Sequence, residues 1–290
     1  MQLDDLKRYG IPGPLLAAWR ERQGDLLLPL QSAAVLGGLL SDRRDTLIAG
    51  PTSSGKSFCG ELALARSLIE RRKGAFVVPL KSIAEEKFAA LEPICKKLKL
   101  RAVIATADHP GSDSLLESGR FDIAVCVYEK FNRLLLANID MLATFNVVVI
   151  DELQLVSDPG RGRVLESLLI KMRGFAARAG SAPRLVALSA ASGSLASSGS
   201  DDELAAWLNL RLIRETTRPR DLRQGVIYNE EYIYRSFNTG LIGREPFQLG
   251  GSESASGADD SASGVDDKTS GNRLTDRLLG VLRRAPGQKL

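Results

Sequence analysis

The chain has 290 residues, of which 44% are hydrophobic and 26% charged, and its formal net charge is +4. That balance is ordinary for a globular chain with a real core, and no apolar run is long enough to span a bilayer, so no membrane partner is expected. Cys59, Cys95 and Cys126 are widely separated without Cys-x-x-Cys spacing, and His109 is the only histidine, which excludes a disulfide framework, a zinc site and histidine triads.

Residues 1–27 read as a lead-in; Met1–Gly10 lacks the pattern of a secretory leader, so a cytoplasmic location is expected. Thr46-Leu47-Ile48-Ala49 is a short apolar run of strand type, and Gly50-Pro51-Thr52-Ser53-Ser54-Gly55-Lys56-Ser57 follows it. The octet matches the phosphate-binding loop pattern G-x-x-x-x-G-K-[ST] in full. Gly50 and Gly55 permit backbone torsions that let the N–H groups of Thr52, Ser53 and Ser54 curl around a polyphosphate. Lys56 can reach the β- and γ-phosphates, and the Ser57 hydroxyl can ligate Mg²⁺. Phe58–Arg72 has helical spacing, so the phosphates would meet a helix N-terminus.

Strand-like and helix-like segments then alternate. Strands are expected at Ala75–Pro79, Arg101–Ala105, Asp122–Val127, Asn146–Ile150 and Arg184–Leu188, with helices at about Ser82–Leu98 and Val164–Ala179. The alternation, and the β-branched run at Val147–Ile150, predict an α/β fold with a mostly parallel sheet buried on both faces. Ligands bind at the carboxyl ends of such strands, where the Gly50 loop falls. Beyond Arg218, Asp221–Phe237 reads as a strand pair turning near Asn229-Glu230-Glu231. Gly250–Asn272 is almost wholly Gly, Ser, Ala and Asp, with Glu253, Asp259, Asp260, Asp266 and Asp267 against Lys268 alone. It reads as a flexible linker. The rest of the chain is correspondingly more basic than +4 and compatible with a polyanion partner. Leu274–Arg284 reads as a short amphipathic helix, and the chain reaches Leu290 at the start of a further strand.

Asp151-Glu152 directly follows the Val147–Ile150 strand. Taken alone, the pair is either a cap or the second half of a P-loop ATPase, in which Asp holds Mg²⁺ and Glu orients or deprotonates the attacking water. Set downstream of the phosphate loop, it points to in-line hydrolysis of a γ-phosphate.

These motifs, in this order, resemble the first RecA-like lobe of superfamily 2 DExH-box helicases, in particular the superkiller-like branch with its exosome and repair helicases. Leu30-Gln31 resembles the Q motif, whose glutamine reads the adenine edge. Val78–Lys87 is similar to motif Ia and Tyr128-Glu129-Lys130-Phe131 to motif Ib, both nucleic-acid backbone contacts. Arg161-Gly162 with Leu165-Glu166 resembles the run after motif II, and Gly287–Leu290 the opening strand of a second lobe. The resemblance implies an ATP-dependent helicase or translocase, 3′ to 5′ on a single strand of DNA or RNA, or at a fork. Its domains would be a lobe over 28–218, a strand extension over 219–248, a linker over 249–272 and the start of a truncated second lobe over 273–290. Its site residues would be Lys56, Asp151 and Glu152 in catalysis and Gln31, Gly50, Thr52, Ser53, Ser54, Gly55, Lys56 and Ser57 on ATP. Ser57 and Asp151 would hold Mg²⁺, and Lys81 and Lys130 would hold the strand.

Two departures bear on coupling. Gln154 stands at the family's motif II histidine, and Ser189-Ala190-Ala191 stands where Ser-Ala-Thr is usual. Gln154 and Ser189 are the expected coupling residues; glutamine keeps a donor and an acceptor there but cannot become a cation. Without the second lobe's arginine fingers the isolated lobe is expected to be nearly inactive. An alternative is a nucleotide-gated nucleic-acid-binding or scaffold protein that unwinds nothing.

Overall fold

The computed structural model describes residues 1–180, 182–190, 198–228 and 231–247. The expectations for Ala191, Asn229-Glu230, the linker, the Leu274–Arg284 helix and the Gly287–Leu290 strand lie outside them. The chain divides into two compact units, Met1–Asp221 and a second beginning at Leu222.

The first unit opens with a 3₁₀ helix, Leu3–Tyr9, and two helices, α1 (Gly13–Gln23) and α2 (Pro29–Ala34). Pro14 and Pro29 lie in the first turns of α1 and α2, where a missing N–H costs nothing. There follow β1 (Thr46–Gly50), α3 (Lys56–Ile69), β2 (Lys73–Val78), α4 (Lys81–Lys97), β3 (Ala102–Ala105), α5 (Asp113–Glu117), β4 (Ile123–Val127), α6 (Tyr128–Ala137), β5 (Phe145–Ile150), α7 (Gly162–Ala179), β6 (Arg184–Ala190), α8 (Ser198–Trp207) and β7 (Arg211–Arg214). The strands form one seven-stranded sheet in the order β3-β4-β2-β5-β6-β1-β7, with every pairing parallel.

Side-chain alternation along each strand splits the core into two layers. On β2, Phe76 and Val78 face a cluster with Ile48, Val125, Val149 and the side chains of α1, α3 and α4. Ala75 and Val77 face the other, with Leu47, Val148, Ile150, Phe131 and the side chains of α6 and α7. Helices therefore cover both faces, and the apolar runs visible in the sequence are strands buried on both sides.

Residues 1–27 are more than a lead-in. Leu3, Leu6, Leu15, Leu16 and Trp19 are buried and belong to the first cluster. The Trp19 ring meets Phe58 of α3 edge to face at 4.9 Å, and Arg22 pairs with the buried Glu61. β7 escaped sequence reading because Arg211 and Arg214 break its apolar run; they are paired to Asp42 at 2.6 Å and Asp202 at 2.9 Å.

The second unit is a three-stranded antiparallel sheet in the order β10-β9-β8, built from β8 (Arg223–Tyr228), β9 (Glu231–Ser236) and β10 (Ile242–Pro246). The sequence predicts only the first two. Gly243, Glu245 and Pro246 are poor strand formers, and β10 is defined by its register with β9, Gly243 opposite Tyr234.

If Trp19 is a core anchor, Trp19→Ala should lower the unfolding free energy of the chain by about 3–5 kcal/mol. An unfolding free energy from urea titration within roughly 0.5 kcal/mol of wild type, the range of a surface substitution, would place residues 1–27 outside the cooperative core.

Candidate active site and adjoining basic groove

The Gly50–Ser57 loop leaves the carboxyl end of β1 and runs directly into α3. Gly55, the residue before α3, has φ +83°, and a Cβ there would collide with the side-chain amide of Gln31 and with Leu28. Glycine is required on both counts. Gln31 is 2% exposed. Its Oε1 accepts from the Leu28 amide at 2.9 Å, and its Nε2 donates to the Gly55 carbonyl at 3.4 Å. The expected adenine reader thus braces the phosphate loop.

Lys56 is buried, and its Nζ donates to the carbonyls of Gly50 at 2.8 Å and Pro51 at 2.9 Å. Burial pulls its pKa below the ordinary lysine value, while the charges of Glu152 and Asp151 push it back up. Ser54 is buried with a hydroxyl that meets no partner, the kind of orphaned polar atom a bound phosphate oxygen satisfies. Thr52 and Ser53 are exposed at the turn, Ser53 with φ +66°. Ser57 lies in the first turn of α3.

The second half of the site arrives on β5. Its Ile150 is level with Ala187 of β6, while Gly50 is level with Ala190 on the other side of the same strand. β6 therefore separates the phosphate loop from Asp151-Glu152 by one strand's width. Asp151 is 6% exposed, and its pKa is pushed up to about 6, first by burial and then by Glu152; Lys87, the Glu152 amide (3.1 Å) and Lys56 hold it down. Glu152 adopts a left-handed conformation, φ 54° and ψ 48°, which non-glycine residues rarely take. Its carboxylate accepts from Gln154 Nε2, and Gln154 Oε1 accepts from the Ala190 amide at 3.0 Å. Gln154 therefore joins Glu152 to the end of β6 using both functions of its amide. Ser189 is turned elsewhere: its Oγ donates to the buried Asp201 of α8 at 2.7 Å.

Lys87 was not singled out from sequence as a site residue. It is buried, with its ammonium 5.8 Å from the Phe76 ring centroid and its charge acting on Asp151. A lysine between Ala84 and Leu91 on the buried stripe of α4 was the available signal.

A cavity of about 500 Å³ opens at the carboxyl ends of β2 and β4 and takes in Leu80, Lys81, Glu129, Lys130, Arg133 and Arg161 among its lining. Lys81 is exposed and paired with Asp108 at 2.9 Å; Lys130 is 5% exposed. Both expected strand contacts share this groove, and Arg133 and Arg161 add two cations that sequence reasoning had not placed there. Gly162 lets α7 begin beside Arg161, because a Cβ there would strike the Val156 carbonyl.

Residues 29–196 match the DEAD/DEAH box helicase family model. The chain belongs to that family. It is 37% identical over 210 residues to the ATP-dependent DNA helicase Hel308 of Pyrococcus abyssi, covering 72% of this chain and 27% of that protein. Identity to the Hel308 of Methanocaldococcus jannaschii is 34%, over 70% of this chain and 16% of the relative. The chain thus spans about a quarter or less of these curated relatives. Among solved structures, Mss116p bound to ssRNA and AMP-PNP superposes with a TM-score of 0.59 at 18% identity, over 76% of this chain and 46% of that one. The DUF1998 helicase MrfA bound to DNA gives 0.56 at 21%, over 71% and 30%. Both share the RecA-like helicase fold. No helix among the described residues is long and apolar enough to cross a membrane.

The burial of Asp151 has a measurable sign. Its folded pKa of about 6 lies above the ordinary aspartate value of 3.8, so the folded state binds the proton more tightly than the unfolded chain. That contribution to stability is complete below pH 3.8 and lost as pH rises through about 6. Asp151→Asn should therefore raise the unfolding free energy of the metal-free protein at pH 8 by up to roughly 3 kcal/mol, at 1.36 kcal/mol per pKa unit, and its melting temperature with it. The gain should shrink toward pH 4; one that does not change with pH would show that burial does not raise the pKa of this carboxyl.

Proposed function

We propose that the chain is the ATP-binding lobe of an ATP-dependent DNA helicase or translocase, with the lobe over residues 28–218. One observation carries the reading: a phosphate loop and an acidic pair flank one strand of a parallel sheet, and a basic groove opens at the same edge. The residues fit a nucleotide and its metal. Gly55 and Ser54 would cradle phosphates with the amides of Thr52 and Ser53, and Lys56 would exchange the carbonyls of Gly50 and Pro51 for β- and γ-phosphate oxygens. Gln31, beside the loop, would turn its amide edge to adenine. Ser57 and Asp151 would hold Mg²⁺, the latter through water. Mg²⁺ supplies neutralisation of the charge that grows on the phosphates during in-line transfer. Glu152 would take the proton of the attacking water, its carboxylate aimed by Gln154.

DNA is the strand we favour, because the Hel308 relatives are DNA helicases by name. Lys81, Lys130, Arg133 and Arg161 would bear on phosphates, which fix register without reading sequence. Movement along the strand, 3′ to 5′, would need a second RecA-like lobe to supply the remaining cations of the ATP site, so this lobe alone should turn over ATP slowly.

Two measurements test the reading. Glu152→Gln should keep Mg²⁺-ATP affinity within about threefold while abolishing the slow hydrolysis, and Lys56→Ala should weaken nucleotide binding by at least about tenfold, the 1.4 kcal/mol of one lost phosphate contact. Separately, Lys81→Ala and Arg161→Ala should each weaken binding to oligothymidylate and reduce the slope of log K against log salt by about 0.7. Unchanged slopes in both would remove the groove from the strand path.

A further inference from the structure

Tyr128 has a position and a bonding pattern that its volume alone does not require. It is the first residue of α6, and its neighbours Val127, Glu129 and Lys130, with Arg133 one turn on, line the basic groove. Its own side chain turns the other way. The ring is fully buried in the second core cluster with Phe131 and Leu153. Its hydroxyl donates to the Asp151 carbonyl and lies 3.5 Å from the Glu152 carbonyl. Phenylalanine would fill the same space without bringing a polar group out of water, and a buried hydroxyl is retained at no loss only when it is bonded. Burial, then the charges of Asp151 and Glu152, raises the Tyr128 pKa, so the hydroxyl stays a donor.

The two carbonyls it holds bracket the left-handed Glu152, whose φ and ψ set the direction of the carboxylate. We infer that Tyr128 is a positioning residue that ties the groove to the acidic pair, so that a strand resting on the start of α6 is felt in the backbone of Asp151-Glu152. This rests on the reading that the groove takes a nucleic-acid strand. The element with two arrangements is the Glu152 peptide, left-handed while the hydroxyl holds its flanking carbonyls and free to relax when α6 moves the hydroxyl away. Contact with a strand and occupation of the nucleotide site then bias one equilibrium, which is what a coupling between two sites requires.

The test reads that coupling rather than turnover. The affinity of the 290-residue chain for AMP-PNP with Mg²⁺ is measured with and without saturating oligothymidylate, for wild type and for Tyr128→Phe. In the wild type the oligonucleotide should change AMP-PNP affinity by at least about fivefold, the lower end of ordinary site-to-site coupling. In Tyr128→Phe the ratio should fall to roughly one. A merely structural tyrosine would lower the affinity of the variant with and without oligonucleotide by a common factor and leave the ratio intact, which overturns the inference. A wild-type ratio of one with both ligands bound overturns it as well. Failure of the wild type to bind oligothymidylate at all sinks the groove assignment itself, and this inference with it. A second measurement needs no variant: oligothymidylate alone should alter amide exchange over residues 152–155, where the Leu155 amide donates to the Glu152 carbonyl at 3.0 Å. Unaltered exchange there counts against Tyr128 as the link.

Discussion

Everything at the active edge is arranged around one uncomfortable group, the carboxylate that β5 carries inside the fold at Asp151. A buried carboxylate without compensation takes up a proton, and Asp151 goes part of the way, with its pKa near 6. It stays ionisable because the Glu152 amide, Lys87 and Lys56 converge on it from the chain, from α4 and from α3. Each of those groups is itself buried or held. Lys87 lies over Phe76, and Lys56 is anchored on the carbonyls of its own loop. A divalent cation held as proposed would find here an acid whose desolvation the fold has already met, beside an ammonium already stripped of water. Such pre-organisation is what a site needs to stabilise charge in the transition state without rearranging.

The position of β6 sets what Gln154 and Ser189, the residues expected to couple, can reach. β6 lies between β1 and β5, so its end stands between the phosphate loop, whose Lys56 acts on the acidic pair by charge, and the pair itself. Gln154 ties Glu152 to the Ala190 amide at that end with a neutral side chain. A glutamine there replaces the charge-bearing option of histidine with two fixed, complementary hydrogen bonds. Ser189, expected in the same role, instead secures α8 through Asp201. The groove is reached from the same edge two strands further on, past β2, so the chemistry and the cations share one rim of the sheet without sharing residues.

Legibility in the sequence followed the physics of each element. The phosphate loop was readable because its glycines, lysine and serine have fixed offsets that few other structures demand. The central strands were readable because burial on both faces leaves continuous β-branched runs. Residues 1–27 were not, since their apolar residues form short, proline-started helices whose partner surface, α3, lies elsewhere in the chain. Lys87 and Tyr128 carried polar groups on otherwise apolar faces, a pattern that says a group is held without saying by what. The carbonyls that hold Tyr128 belong to a strand end far off in sequence, and only the sheet order brings them together.

That sheet order also bears on how the protein comes into being. The strand that launches the phosphate loop, β1, finds its partners only in β6 and β7, Thr46 opposite Val186 and Arg211. During synthesis the loop and its helix leave the ribosome long before the strand that separates them from the acidic pair. Until β6 emerges, β1 and β5 each present an unpaired apolar edge, the surface on which chains aggregate. A parallel sheet with such long-range pairings is also slow to close. Hence the nucleotide site cannot be an early folding nucleus. It is incomplete until β6 has entered the sheet, and a nascent chain interrupted before Arg184 has the motif without the site.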